Sequence, residues 1–265
     1  MMKTIYRTNA LGQLKLQYNV FLGSRSIRLL IYTGLVIMFG IALAVAYGVS
    51  LSYIEGEPLK GESFLYEISV FGFSFAQIFF GAAIIAFICS EWTSGFIYTS
   101  FGVTRKPLNY VLSKLFWPLI FSIVLFTLIL LMLIPLEDML VSRGTLYGIS
   151  LSDPTVWRQI LVANFNLACS ILLAAGFALI FRQSASALGV YIAISLIAPI
   201  VFGLIPLDIS NSISEWLPNN VFGYLITQDS LILPKLNYPL LVTAAAAYPI
   251  IAITLGLMLF KRKPV

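Results

Sequence analysis

Few residues of this 265-residue chain could do chemistry, and their types exclude more than they allow. Histidine is absent, which removes His-based triads, HExxH metal sites and imidazole proton relays. Cys89 and Cys169 lie inside apolar runs without the spacing of a metal site or a redox pair, so they read as packing residues. No GxxxxGKS/T segment is present to cradle nucleotide phosphates, and no apolar run carries the paired aspartates or Ser/Lys arrangement of an intramembrane protease. No catalytic residue, metal ligand or cofactor of its own is therefore expected. What remains is one acid among cations, Glu91, an amphipathic stretch that follows it, and three amides in apolar surroundings, Gln77, Asn164 and Asn166.

The elements that must position these residues are membrane spans. The chain is 60% hydrophobic and only 10% charged, with a mean hydropathy of +0.96, far from a soluble domain. The first apolar run starts at Leu29 and is too long for a signal h-region, so no cleavable signal is expected. Spans are expected from Leu29 to about Tyr53, Phe64 to Ser90, Leu115 to Leu136, Pro154 to Phe181, Ala187 to Leu207 and Leu236 to Phe260, each near or above the roughly 20 residues that cross a bilayer core. Ahead of them, Thr4 to Ser24 reads as an amphipathic interfacial helix, with Leu11, Leu14, Tyr18, Phe21 and Leu22 on one face and Gln13, Lys15, Gln17 and Asn19 largely on the other. Gly40, Ala44 and Gly48 form a small-residue ridge on the first span, open to another helix or to ordinary packing. Asp153-Pro154 supplies an N-cap and first helical residue, Arg182 to Ser186 a tight hairpin, and Pro199 a kink. Between the fifth and sixth spans, Ile213 to Leu217, Val221 to Thr227 and Leu231 to Leu233 are too short to cross and read as re-entrant or interfacial pieces. The whole, residues 1–265, is expected to be a single all-α transmembrane domain, with 1–28, 91–114 and 208–235 as its three accessory segments.

Charge orients it. Lys3, Arg7, Lys15, Arg25, Arg28, Arg105, Lys106, Lys114, Arg182 and the Lys261-Arg262-Lys263 end fall on one side with Glu91 as the only acid. The opposite side has Lys60, Arg143, Arg158 and Lys235 against every other acid of the chain. The positive-inside rule then makes both termini and residues 91–114 cytoplasmic, which also accounts for the net charge of +5 without nucleic acid. Residues 91–114 join two spans, and Trp92, Phe96, Thr99 and Val103 recur at helical spacing with Gly102 as a stop.

These features together resemble the membrane subunit of type-2 ABC exporters. The residues that carry the likeness are Glu91 closing the second span, Gly95, Phe96, Ile97 and Thr99, then Thr104, Arg105 and Lys114 leading into the third. The small-charged tripeptide usual before the glycine is replaced here by Trp92-Thr93-Ser94. The resemblance implies that Trp92 to Val103 is a coupling helix seated on a separate ATP-binding subunit, which would hold the ATP and magnesium. It also implies a second permease subunit, membrane lipid contacts, and a bacterial plasma-membrane location. Phe96, Ile97, Tyr98 and Phe101 would be anchors on the partner; a helix lying on the membrane surface is the simpler reading. Glu91 is expected to pair with Arg105, Lys114 or a base on the N-terminal helix, or else to snorkel to water. Gln77, Asn164 and Asn166 could line a substrate path or bond between helices, and Trp216, Phe222 and Tyr224 could form an outer gate or an aromatic belt. The cargo implied is amphipathic: a peptide antibiotic, a drug or a lipid-linked molecule. The alternatives are an immunity or sensing protein that binds a toxin without moving it, and a scaffold that anchors partners.

The topology is testable by accessibility. Single cysteines at Glu57, Ser142 and Ser210 should react with an impermeant thiol reagent on intact cells, and ones at Ser184 or Lys263 should not; the reverse pattern would overturn the six-span orientation.

Overall fold

An apolar run in hydrocarbon satisfies its own backbone only by closing hydrogen bonds within itself, so helix is the form such runs take. The structure is a computed structural model that describes residues 10–52, 63–95, 107–141, 154–205, 208–226 and 237–262, and no strand occurs among them. Helix α1 is Ala10–Gly23, α2 Arg25–Ser52, α3 Ser63–Thr93, α4 Pro107–Val141 and α5 Pro154–Phe181. Helix α6, Ser184–Ile192, runs through a π turn at Ala193–Ile197 into α7, Ala198–Leu204. Helices α8 (Asp208–Glu215), α9 (Pro218–Ile226) and α10 (Tyr238–Arg262) complete the order. Six stretches are long and apolar enough to cross a membrane: Arg25–Gly48, Gly72–Thr93, Val111–Leu136, Val156–Phe181, Ser184–Leu204 and Tyr238–Leu259. This is the architecture of a multi-pass membrane protein, and the six stretches are those that hydropathy indicates.

Helices α3 and α5 are the most buried of the six and form the centre. Helix α3 packs chiefly on α2 and α5, while α5 also carries α10 along its length. Close approach is made possible by glycine at the crossing points. A Cβ on Gly176 of α5 would overlap that of Ala252 on α10 and come within 2.8 Å of its carbonyl carbon; one on Gly256 would lie 2.7 Å from the Leu179 Cβ. By contrast, a Cβ added at Gly40 or Gly48 of the α2 ridge would meet nothing within 4 Å, and the ridge is exposed. No helix among the described residues crosses closely there.

Several boundaries differ from expectation for physical reasons. Helix α3 continues through Glu91 and Trp92, and α4 begins at Pro107 rather than Leu115, so both spans extend into the segment read as a polar connector. Helix α4 also runs on to Val141, through Glu137 and Asp138. The turn between α5 and α6 is shorter than expected, because Ser184 already starts α6. Where Pro199 predicts a kink, the helix widens into the π turn just before it, which relieves the clash between the proline ring and the carbonyl four residues back. Helix α8 begins at Asp208, earlier than the Ile213 expected, and 231–233 falls outside the described residues.

Helix α1 is also rotated from its expected setting. Phe21 is buried and stands edge-on to Phe87 of α3 and Phe121 of α4, at 5.6 and 5.5 Å between ring centres. At 100° per residue Gln17 and Tyr18 flank the Leu14–Phe21 stripe about equally, and it is the Gln17 side that turns inward, so Gln17 is buried although it was assigned to the polar face. Tyr18, assigned to the apolar face, instead lies half-exposed beside Trp117, whose indole N–H donates to the Leu14 carbonyl at 2.8 Å.

The glycine contrast makes a prediction about stability. Gly176→Leu should lower the thermal unfolding midpoint in detergent, overpacking there costing about 1–3 kcal/mol. Gly40→Leu should stay within about 0.5 kcal/mol of wild type. A greater loss at Gly40 would mean that the α2 ridge is covered by another molecule.

Candidate functional site

The end of α3 is built by a helix stop. Ser94 N–H still donates to the Ser90 carbonyl at 3.1 Å, and then Gly95 turns into the left-handed region at φ +70°, where a Cβ is unfavourable. Trp92 therefore belongs to the last turn of α3 and not to a continuous helix running on to Val103. Successive residues on a helix diverge by about 100°, so Glu91 and Trp92 reach different neighbours.

Glu91 reaches α4. Its Oε1 lies 2.8 Å from Lys114 Nζ, with Glu91 4% and Lys114 1% exposed. The ammonium also faces the Phe87 ring, 4.8 Å from its centre. Lys114, one of the bases the sequence offered, pairs with Glu91. Its burial corrects the sequence reading, which placed Lys114 on a polar connector; the cation lies in the first turns of the third span and is kept there by its counter-charge. Removing either partner would strand the other charge in a poorly solvated place.

Trp92 reaches the opposite way, toward the turn between α5 and α6. The Arg182 guanidinium lies 4.7 Å from the centre of the Trp92 rings, and its Nη2 donates to the Leu259 carbonyl in the last turns of α10 at 2.9 Å. Arg182 itself has φ 57°, the only non-glycine residue in the left-handed region among those described. Of the other residues expected to couple, Phe96, Ile97, Tyr98, Thr99, Phe101 and Arg105 lie outside the described residues.

The amides form a second centre around α9, halfway along α3. Gln77 Nε2 donates to Asn219 Oδ1 at the start of α9, and Asn166 Nδ2 of α5 donates to the Phe222 carbonyl one turn further on at 2.8 Å. Both side chains are buried, and Gln77 Oε1 and Asn166 Oδ1 find no hydrogen-bond partner among the described residues. Tyr191 of α6 completes the cluster: its hydroxyl donates to the Gln77 main-chain carbonyl at 3.1 Å and shares a 2.7 Å bond with Ser170. Its ring fills the space where Gly81 lacks a side chain.

The remaining residues expected on a path are placed differently. Asn164 exchanges hydrogen bonds with Thr127 of α4, at 2.9 and 3.2 Å, and donates to its own helix at the Ile160 carbonyl; it bonds helices together and is not part of the α9 cluster. Phe222 is buried in a small core with Cys169, Val221, Leu225, Leu241 and Ala245. Trp216 is half-exposed, and its carbonyl accepts from the Tyr248 hydroxyl of α10. Tyr224 packs beside that small core, where burial, with the nearby Glu215 charge, raises its pKa.

Sequence reasoning missed Tyr191, Ser170, Asn219 and Arg182. A signal existed for Asn219, since two asparagines directly after Pro218 open a short apolar helix. A tyrosine in the middle of an apolar run is a weaker one. Compared with known proteins, the chain matches no family model and no curated protein.

The ion pair can be tested by its asymmetry. Glu91→Gln should destabilise the detergent-solubilised protein by several kcal/mol, about 3–5 where a buried pair is broken from one side. Glu91→Leu with Lys114→Leu, which removes both charges, should unfold closer to wild type. Equal losses in the two variants would show that the pair matters for its shape and not for its charge.

Proposed function

We propose that this chain is the membrane subunit of an ATP-driven exporter of the type-2 ABC kind, working in the bacterial plasma membrane with both termini cytoplasmic. The observation that carries the reading is the buried Glu91–Lys114 pair, which closes the base of the connector between α3 and α4. A connector clamped at its root by charge can pass a push from a partner into two spans at once, whereas a loose loop would absorb it. The chain holds no phosphate-binding loop, so the push must come from a separate ATP-binding subunit, which would carry ATP and magnesium. Between the end turns of the described spans no Asp, Glu, Lys or Arg is available to an ion-driven carrier.

In this reading residues 96–103 dock on the ATPase with Phe96, Ile97, Tyr98 and Phe101, and Thr99 and Arg105 lie on the same connector. Helix α1 lies in the membrane interface, and α8 and α9 are re-entrant helices on the far side. A second permease copy or a related chain completes the pore. The α9 cluster, with Gln77 and Asn166, is the polar step in the path of an amphipathic cargo, and its two buried amide oxygens, without a hydrogen-bond partner among the described residues, would meet donors on that cargo when the helices part. A toxin-binding immunity protein would need no such clamp beneath its connector.

Truncating an aromatic anchor typically costs ~2 kcal/mol or more, and ~1.4 kcal/mol is tenfold in affinity. Phe96→Ala with Phe101→Ala should strip the ATP-binding subunit from the purified complex and abolish export. Leu128→Ala, on the exposed face of α4, should leave the complex whole. Co-purification of the double variant at normal stoichiometry would remove the coupling role.

A further inference from the structure

Glu91 and Trp92 are adjacent on α3 but tie it to different partners, and only the first tie is explained by the sequence pattern. The second runs through Arg182. This arginine joins α5 to α6 with a backbone φ of 57°, a conformation that side-chain-bearing residues adopt when their surroundings hold them there. Its N–H closes the end of α5 on the Ala178 carbonyl at 2.9 Å. The guanidinium lies 4.7 Å from the Trp92 rings on one side and donates at 2.9 Å to Leu259 on the other. Leu259 is in the last turn of α10, where carbonyls have no helical donor and a cation is favoured. One side chain therefore joins the ends of α3, α5 and α10.

We propose that Arg182 is a positioning residue that carries movement of the α3 end into the last span, α10. This rests on the exporter reading, because it assumes that an ATPase displaces residues 91–114. The role suits arginine over lysine. A planar guanidinium can stack on the indole and donate to a carbonyl at once, whereas an ammonium is a compact point charge on a flexible stem. It also gives Trp92 a task distinct from docking, since its ring is used inside the chain.

The test uses the full permease–ATPase complex with spin labels at Ser94, at the end of α3, and Met258, at the exposed end of α10. In the wild-type complex the distance between the labels should be the same with and without ATP, because the two ends move together. In Arg182→Gln it should match wild type without nucleotide and then shift or broaden on adding ATP, with export lost and ATP hydrolysis retained. Trp92→Leu should reproduce this, and Arg182→Lys should recover the wild-type distances only in part. A merely structural role would change the nucleotide-free distance and leave no dependence on ATP. If Arg182→Gln and Trp92→Leu hold the wild-type distance in both states, or if both differ from wild type before ATP is added, the inference is overturned. Failure of the wild-type chain to bind the ATPase at all would instead overturn the exporter reading, and this proposal with it.

Discussion

The Glu91–Lys114 pair is the constraint on which the rest of this structure depends. A single buried charge among apolar helices costs several kcal/mol even after relaxation, and a pair is tolerable only when its contact is close and its remaining valences are met. Here the 2.8 Å contact and the Phe87 ring face meet that condition. Such a pair adds little net stability compared with two apolar residues, but it has one acceptable arrangement. A shift of α4 register by a single residue, about 1.5 Å and 100°, would swing Lys114 away from Glu91. The pair thus sets the register of the second span against the third, and it fixes where the connector between them begins and ends.

A second constraint acts on the short helices. Helices α8 and α9, and the π turn between α6 and α7, leave backbone groups that a continuous span would have satisfied. Such irregular backbone is tolerated beside hydrocarbon only where protein groups cover it. The buried amides brace α9 against the two central helices: Asn166 donates to the Phe222 carbonyl, and Gln77 holds the Asn219 side chain at the helix start. At the other end of the α8–α9 turn, Asn220 Nδ2 donates to the Ser214 carbonyl at 2.7 Å. Polar residues in the two most buried helices thus serve first to fasten this short helix to the bundle.

The six spans were legible because hydropathy over some 20 residues is a summed property that no single contact overrides. Their ends were not, because charge was read as exposure. Glu91 and Lys114 are charged yet buried, and only their distance in space shows why. The Gln17 error has the same origin: two adjacent stripes of α1 differ little in composition, and the choice between them is made by Phe87, Phe121 and Trp117, which lie far along the chain. Tyr191 and Arg182 carry no local pattern at all. Their roles come from a glycine at 81, a carbonyl at 77 and another at 259, and no window of sequence contains these together.

The two ties at the end of α3 also differ in strength, and the difference decides how far a displacement can travel. Breaking the ion pair from one side is of the order of 3–5 kcal/mol, so α3 and α4 would move as a unit under any push weaker than that. The Arg182 link includes a cation–π contact, about 0.5–1 kcal/mol at an exposed site, and a hydrogen bond from a charged donor that solvent screens to about 1 kcal/mol. Coupling between distant sites is typically 1–3 kcal/mol, the range in which such a link falls, and under the proposed function it would bias α10 without locking it. A bare apolar contact, having no directional bond to the α10 carbonyl, would let the two helices slide apart.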